Sequence, residues 1–273
     1  MTRADAETKD WSARQYLRFE EERTRPARDL LAQVRLEREG LKREGLVRVG
    51  RVVDLGCGPG NSTELLVERF PGALMMGVDS SKDMLEKARE RLPGCEFVEA
   101  DLRTWTPPGK TDLVFANAVL QWVPEHQAVM RRMVEGLEEG GVLAVQMPDN
   151  TREPSHQLMV EVAGRERWAR ALAKANAARA DLPDAGSYYD ALKPLCREVE
   201  IWHTIYEHVM DGPEAIVEWF KGSSLRPFLA ALDATEGEEF LRTYEAEIAK
   251  AYPRRVDGRV LLRFPRLFVV ATR

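Results

Sequence analysis

Val52-Val53-Asp54-Leu55-Gly56-Cys57-Gly58-Pro59-Gly60-Asn61 is the stretch on which the reading of this chain turns. A short apolar run ends in an acid, three glycines follow at alternate positions, and residues 62–70 then carry apolar side chains at helical spacing. A strand that turns sharply into a helix needs positions without a Cβ. Only glycine adopts left-handed conformations cheaply and lets another group come close to the backbone. Downstream the alternation repeats. Residues 74–78, 96–98, 112–116 and 141–146 read as apolar strands, and residues 83–91 and 125–137 as helices between them. Continuous apolar strands separated by amphipathic helices belong to a parallel sheet covered on both faces, so the fold expected is a doubly wound α/β domain.

On either side the pattern changes. Residues 11–34 read as two short helices, with Thr24 as an N-cap and Pro26 in the first turn, where a missing N–H costs nothing. Residues 36–50 are charged, hold glycines at 40, 45 and 50, and read as a helix end and an exposed connection. Residues 155–180 and 213–251 have helical spacing, residues 197–208 alternate like a strand, and residues 260–271 form a last strand-like run. The two late strands are expected to join a core of about residues 50–150 in a single domain. Residues 11–35, 151–196 and 213–252 are then expected to form a helical cap or lid.

Composition narrows the function. The 273 residues carry a formal net charge of −5 without a basic cluster, which argues against a nucleic-acid partner. A few arginines can still line one pocket for an anionic small molecule. Cys57, Cys95 and Cys196 are far apart and form no CxxC or Cys/His cluster, so neither a disulfide framework nor a structural zinc is expected. The first ten residues lack the apolar stretch of a secretion signal, and no run approaches the ~18 apolar residues of a membrane span. A cytoplasmic protein with a small-molecule partner, no membrane and no metal is expected.

The glycine spacing is G-x-G-x-G preceded by an acid, rather than the G-x-G-x-x-G of pyrophosphate binders. It suits a ligand with an amino-acid tail and no phosphates. Asp79 closes the second strand, where an acid can accept both hydroxyls of a ribose. The same place also suits a helix N-cap, with Asp79 or Ser80 capping the helix around Met84. Asp101, in Ala100-Asp101-Leu102, can take the exocyclic amine of adenine or sit in a solvated turn. Phe115-Ala116-Asn117-Ala118-Val119-Leu120-Gln121-Trp122 ends the fourth strand. All four signals fall at the carboxyl edges of successive strands, where open α/β sheets bind their ligands.

Together these residues resemble the class I methyltransferase family. The resemblance implies a seven-stranded Rossmann-like sheet of order 3-2-1-4-5-7-6 with the seventh strand antiparallel. It also implies S-adenosylmethionine as cofactor and S-adenosylhomocysteine as product. On this reading Asp54 and the backbone of Gly56 and Gly58 face the methionine part, beside Cys57 and Asn61. Asp79, Ser80 and Met84 hold ribose and adenine, Asp101 and Leu102 the adenine edge, and Asn117 the sulfonium side. Arg25 is a candidate for the methionine carboxylate, or else a helix-surface residue.

The similarity reaches beyond the cofactor motifs. Trp11-Ser12-Ala13-Arg14-Gln15-Tyr16, Arg23-Thr24-Arg25-Pro26, Gln121-Trp122-Val123-Pro124, Leu225-Arg226-Pro227 and Leu262-Arg263-Phe264-Pro265-Arg266 resemble the trans-aconitate methyltransferase family. The tail before residue 11 and the long charged stretch 36–50 depart from it, and both precede the first strand. The resemblance implies methylation of one carboxylate of trans-aconitate to a monomethyl ester. A carboxylic acid with a pKa near 4 is already ionised at neutral pH, so no catalytic acid or base is expected. His126, His156, His203 and His208 are accordingly given structural or substrate-binding roles.

A tricarboxylate calls for arginine forks. If the last strand is antiparallel, its beginning lies at the edge that binds the cofactor, which favours Arg263 and, with it, Arg266. Arg226 and Lys221 come next, and Tyr16, Gln15 and Trp122 are candidates for the pocket walls. Each cation also fits a surface ion pair, and Trp122 also fits the core. Three alternatives stand beside this reading: methylation of another small carboxylic acid or metabolite, a nicotinamide-dependent oxidoreductase, and a non-enzymatic cofactor-binding module.

Overall fold

The computed structural model describes residues 19–36, 42–43, 46–47, 49–176 and 181–273. Seven strands form one sheet: β1 (Arg51–Leu55), β2 (Leu74–Asp79), β3 (Glu96–Glu99), β4 (Thr111–Asn117), β5 (Leu137–Pro148), β6 (Glu198–Met210) and β7 (Val260–Thr272). Their order across the sheet is 3-2-1-4-5-7-6. β1 pairs in parallel with β2 and β4, β2 with β3, and β4 with β5, whereas β5 and β7 run antiparallel. This is the doubly wound Rossmann-like sheet. A separate two-residue hairpin pairs Lys42–Arg43 with Leu46–Val47.

The helices are α1 (Glu20–Gln33), α2 (Asn61–Arg69), α3 (Lys82–Arg91), α4 (His126–Gly136), α5 (Pro154–Ala163), α6 (Glu166–Asn176), α7 (Ala185–Leu192), α8 (Pro213–Lys221), α9 (Arg226–Ala230) and α10 (Ala234–Ala251). The chain divides into two compact units, one of residues 19–149, 181–206 and 264–273, the other of residues 150–176 and 207–263.

The first unit carries the sheet. Val53, Leu55, Val114, Ala116, Leu143, Val145, Leu267 and Val269 bury one face of it with Val129, Met130 and Met133 of α4. Tyr188 and Leu192 of α7 belong to the same core, and α4 grips α7 through Gln127 Nε2 to Ser187 Oγ at 2.9 Å and Arg131 to the Ala191 carbonyl at 3.0 Å. α1 and α7 thus fall in the unit that carries the sheet. The start of α1 is corrected. It begins four residues before Thr24, after Phe19, and Pro26 lies inside it.

The second unit is helical apart from the strand ends it contains. Trp168 of α6 meets Phe240 of α10 edge-on at 5.5 Å, and Phe228 stacks on Phe240 at 5.9 Å. Tyr244 donates to the Ser155 carbonyl at 2.8 Å, and the Ser155 N–H donates to Tyr252 at 3.0 Å, so two tyrosines satisfy one buried residue's backbone. Asp233 and Glu236 form a capping box at the start of α10. Among the described residues no helix is long and apolar enough to cross a membrane, and the three cysteines are free.

Leu143 is fully buried at the centre of β5, whereas Leu74 is 66% exposed at the start of β2. Leu143→Ala should therefore cost about 2–5 kcal/mol, and Leu74→Ala no more than about 0.5 kcal/mol. Denaturant midpoints of the two variants at constant slope check this contrast.

Candidate functional site

The turn after β1 is built from left-handed backbone at Gly56 (φ +61°), Gly58 (φ +54°) and Gly60 (φ +92°), the last at the N-cap position of α2. A Cβ at Gly56 would stand 2.3 Å from the Val119 side chain, so this glycine is also needed for close contact. A Cβ at Gly58 would meet no atom within 4 Å, which leaves a cradle at the carboxyl end of β1. The Cys57 N–H donates to the Val78 carbonyl at 3.1 Å and ties the turn to β2. Cys57 itself is buried, and burial pushes its thiol well above the ordinary range.

Asp54 lies at the root of the turn and is fully buried. Its Oδ2 accepts from Ser62 Oγ and Thr63 Oγ1, both at 2.7 Å, while its buried Oδ1 has no partner among the described residues. Burial pushes its carboxyl up to about 7; the Thr63 and Ser62 hydroxyls oppose the rise, and the negative charge of Asp79 adds to it. Sequence reasoning missed Ser62 and Thr63. Their signal was position: hydroxyls in the first turn of a helix can reach back to the strand it follows.

Asp79 ends β2 and bridges two loops, accepting from the Gly58 N–H and the Ser81 N–H at 2.9 Å each. Ser81 caps α3, accepting from the Met84 N–H at 3.3 Å, so the cap expected at Asp79 or Ser80 belongs to neither. Ser80 is exposed and Met84 buried.

Three amide oxygens share the condition of Asp54 Oδ1. Asn61 Oδ1, Asn117 Oδ1 and Gln121 Oε1 are buried without a donor among the described residues. The nitrogen of Asn61 donates to Glu20 of α1 at 2.6 Å, and that of Gln121 to the Ala118 carbonyl at 2.7 Å, which fixes both oxygens as acceptors. Ala118 holds a left-handed φ of +57° directly after Asn117, a conformation costing on the order of 1 kcal/mol that turns the chain at the strand end. Acceptors gathered at the ends of β1 and β4, where the strand order reverses, suit a cationic ligand rich in N–H donors.

The third acid fits less directly. Asp101 is exposed, and both its oxygens accept from Arg103 Nε, at 2.8 and 3.0 Å, which holds its carboxyl below the usual range. Leu102 lies in the main core.

The acceptor-side candidates separate. β7 starts at Val260, before Arg263, and its pairing with β5 reaches as far as Arg266 opposite Pro148, so Arg266 marks the carboxyl end of β5. Arg263 belongs to the second unit, half-exposed and ion-paired with Glu153 and, at 4.0 Å, with Glu207. Lys221 pairs with Glu218 at 2.5 Å, and Arg226 opens α9. Trp122 is half-buried in the short 3-10 helix Leu120–Trp122. Tyr16 and Gln15 lie outside the described residues.

Arg266 is buried, with Nη1 donating to Gln146 Oε1 at 3.2 Å and its guanidinium 4.5 Å from the Phe264 ring. Arg25 is exposed on α1 with its guanidinium 5.3 Å from the Tyr206 ring. Gln146 and Tyr206 were missed from sequence.

The four histidines are tied locally: His126 to Tyr188 Oη at 2.6 Å, His156 to Ser224 Oγ at 3.0 Å, His203 to Asp149 at 2.9 Å, and His208 beside Trp219 at 5.0 Å. Burial lowers the pKa of His126. Among the described residues no group of three His, Cys, Asp or Glu side chains is placed to hold a metal ion.

Comparison with known proteins agrees with this geometry. The Methyltransferase domain family model matches residues 52–141. The trans-aconitate 2-methyltransferase of Rhodopseudomonas palustris (strain BisB18) is 60% identical over 262 residues, covering 96% of this chain and 98% of that one. Among solved structures, the YcgJ protein of Bacillus subtilis is 11% identical with a TM-score of 0.54, over 83% of this chain and 92% of that one. The O-methyltransferase of a Brevibacillus brevis multienzyme, solved with S-adenosylhomocysteine, is 15% identical with a TM-score of 0.50, over 95% and 74% of the two chains. The two structures show the shared fold.

The carboxyl of Asp54 has a folded pKa of about 7, above the 3.8 of an ordinary aspartate. The stability this gives is fully present below the unfolded value and is lost as pH rises through the folded one. Relative to Asp54→Asn, the wild-type protein should therefore lose about 2–3 kcal/mol between pH 5 and pH 8. Urea unfolding of the ligand-free proteins at the two pH values measures it, and an unchanged difference would contradict the burial described.

Proposed function

The chain belongs to the trans-aconitate 2-methyltransferase family, and on that premise we propose that it transfers a methyl group from S-adenosylmethionine to one carboxylate of trans-aconitate, giving the monomethyl ester and S-adenosylhomocysteine. The observation that carries this reading is the set of buried acceptors at the ends of β1 and β4: Asp54 Oδ1, Asn61 Oδ1, Asn117 Oδ1 and Gln121 Oε1, none with a donor among the described residues.

These residues fit the cofactor's methionine end, which brings an ammonium and a sulfonium and needs acceptors. The Gly58 cradle admits it without a side chain in the way. Cys57 contributes backbone to the same turn. Asp79, at the end of β2, serves the ribose, with Ser80 and Met84 at the start of α3. Asp101 and Leu102 serve the adenine edge, where Asp101 must share its oxygens with Arg103. When bound, the cofactor supplies an electrophilic methyl group.

The acceptor reaches the site as a carboxylate, already ionised at neutral pH, so no residue has to remove a proton. What this chain's residues have to do is orient and desolvate the acceptor. The histidines, each bound within its own unit, are consistent with that division of labour. The reading places the protein in the cytoplasm with a small polycarboxylate as its partner.

Incubation with methyl-labelled S-adenosylmethionine and trans-aconitate, cis-aconitate, isocitrate or a fatty acid tests it. Label should pass to trans-aconitate most rapidly, with kcat level from pH 7 to 9. Transfer confined to the fatty acid, or a rate that rises tenfold per pH unit as for an essential base, would refute the acceptor or the mechanism respectively.

A further inference from the structure

Resting on the polycarboxylate reading above, we propose that Arg266, Gln146 and Arg25, arranged about Tyr206 in the sheet-bearing unit, form the receptor for a carboxylate of the methyl acceptor. Three features carry it.

The first is position. Asn117, at the end of β4, stands in register with Gln146 on β5, and Arg266 faces Pro148 two residues further along the antiparallel pair β5–β7. The receptor therefore begins one strand away from the cluster of acceptors that suits the cofactor.

The second is an amide held as a donor. Gln146 is fully buried, and its Oε1 receives the Arg266 guanidinium. A cation fixes that oxygen toward itself, so Nε2 points elsewhere as a donor, and among the described residues Nε2 has no acceptor. A buried amide N–H without a partner is costly, and a carboxylate oxygen is an acceptor that the neighbouring guanidinium also attracts.

The third is a pair of cations on one ring. The Tyr206 hydroxyl donates to Asp29 of α1 at 2.6 Å, which pins the ring. The guanidinium of Arg266 stands 5.8 Å from its centroid and that of Arg25 5.3 Å. Cation–π contact holds each in place beside the Asp29 carboxylate that accepts from the ring's hydroxyl. Arg266 is the inner, buried member and Arg25 the outer, exposed one. An acceptor with several carboxylates can use both. A monocarboxylate can use one.

The test is kinetic, on the full chain. Arg266→Lys keeps the charge and loses the fork, and Gln146→Glu replaces the donor with a carboxylate. Each should raise KM for trans-aconitate about tenfold or more, the loss of one charge-assisted hydrogen bond. Arg25→Ala, on an exposed position with little risk to folding, should raise it several-fold, on the order of a single weakened ion pair. The dissociation constant for S-adenosylhomocysteine, measured by calorimetry, should stay within about twofold in all three.

An unchanged acceptor KM in Arg25→Ala and Arg266→Lys would overturn the receptor while leaving the reaction intact. A parallel loss of S-adenosylhomocysteine binding would overturn it in favour of the cofactor's own carboxylate as the ligand. A wild-type protein that methylates no polycarboxylate would instead bring down the functional reading on which this one rests.

Discussion

A buried carboxylate organises the sheet's working edge. Asp54 sits in the last turn of β1 with no access to water, and two hydroxyls from the first turn of α2 hold one of its oxygens. Each such bond to a charged group contributes about 1.5–3 kcal/mol, and together they fix where the helix starts relative to the strand. The three left-handed glycines between them follow from that closeness, since the chain must reverse within six residues while Val119 presses on Gly56. Burial strong enough to raise the carboxyl to about 7 also makes this residue sensitive to any cation placed near it.

Helix α1 extends this constraint across the sheet-bearing unit. Near its start, Glu20 accepts from Asn61 and, at 2.7 Å, from Arg91 of α3. Nine residues later, Asp29 accepts from Tyr206 of β6. One helix therefore orients an amide beside the glycine turn and pins the aromatic ring beside Arg266. Pro26 lies between these points and leaves one carbonyl without its helical donor, which α1 tolerates because its buried face is set by tertiary contacts.

What could be read from the sequence was what is local or periodic. Strand order followed from the resemblance, and the positions of Asp54, Asp79 and Asn117 at strand ends followed from apolar runs that stop abruptly. The failures have a common cause. Placing Arg266 at the carboxyl end of β5 needed the register of β7 on β5, which periodicity does not supply because Arg263 and Arg266 lie in one strand-like run. Ser81 rather than Asp79 caps α3 because Asp79 is drawn to the Gly58 N–H, a partner 21 residues back. Tyr206 and Asp29 meet across 177 residues of chain, and nothing near either one marks the other. Arg103 takes the oxygens of Asp101 from two residues away, a contact visible in the sequence only if a turn is assumed there.

The polarity of the two clusters explains why they adjoin. At the ends of β1 and β4 and in the turns that follow them, the buried atoms without a partner among the described residues are oxygens: those of Asp54, Asn61, Asn117 and Gln121. One strand over, the unsatisfied atom is the Gln146 nitrogen, and the neighbouring charge is the Arg266 guanidinium. Asn117 and Gln146 occupy matched positions on adjacent strands, so the sign of the site changes across a single strand spacing, about 4.8 Å. Methyl transfer from a cationic donor to an anionic acceptor needs that change of sign. The donor has to be held by oxygens and the acceptor by N–H groups, and the two reacting atoms have to meet at the boundary. On the proposed reading, a parallel strand pair in register places that boundary by backbone geometry, which suits an acceptor that arrives already ionised.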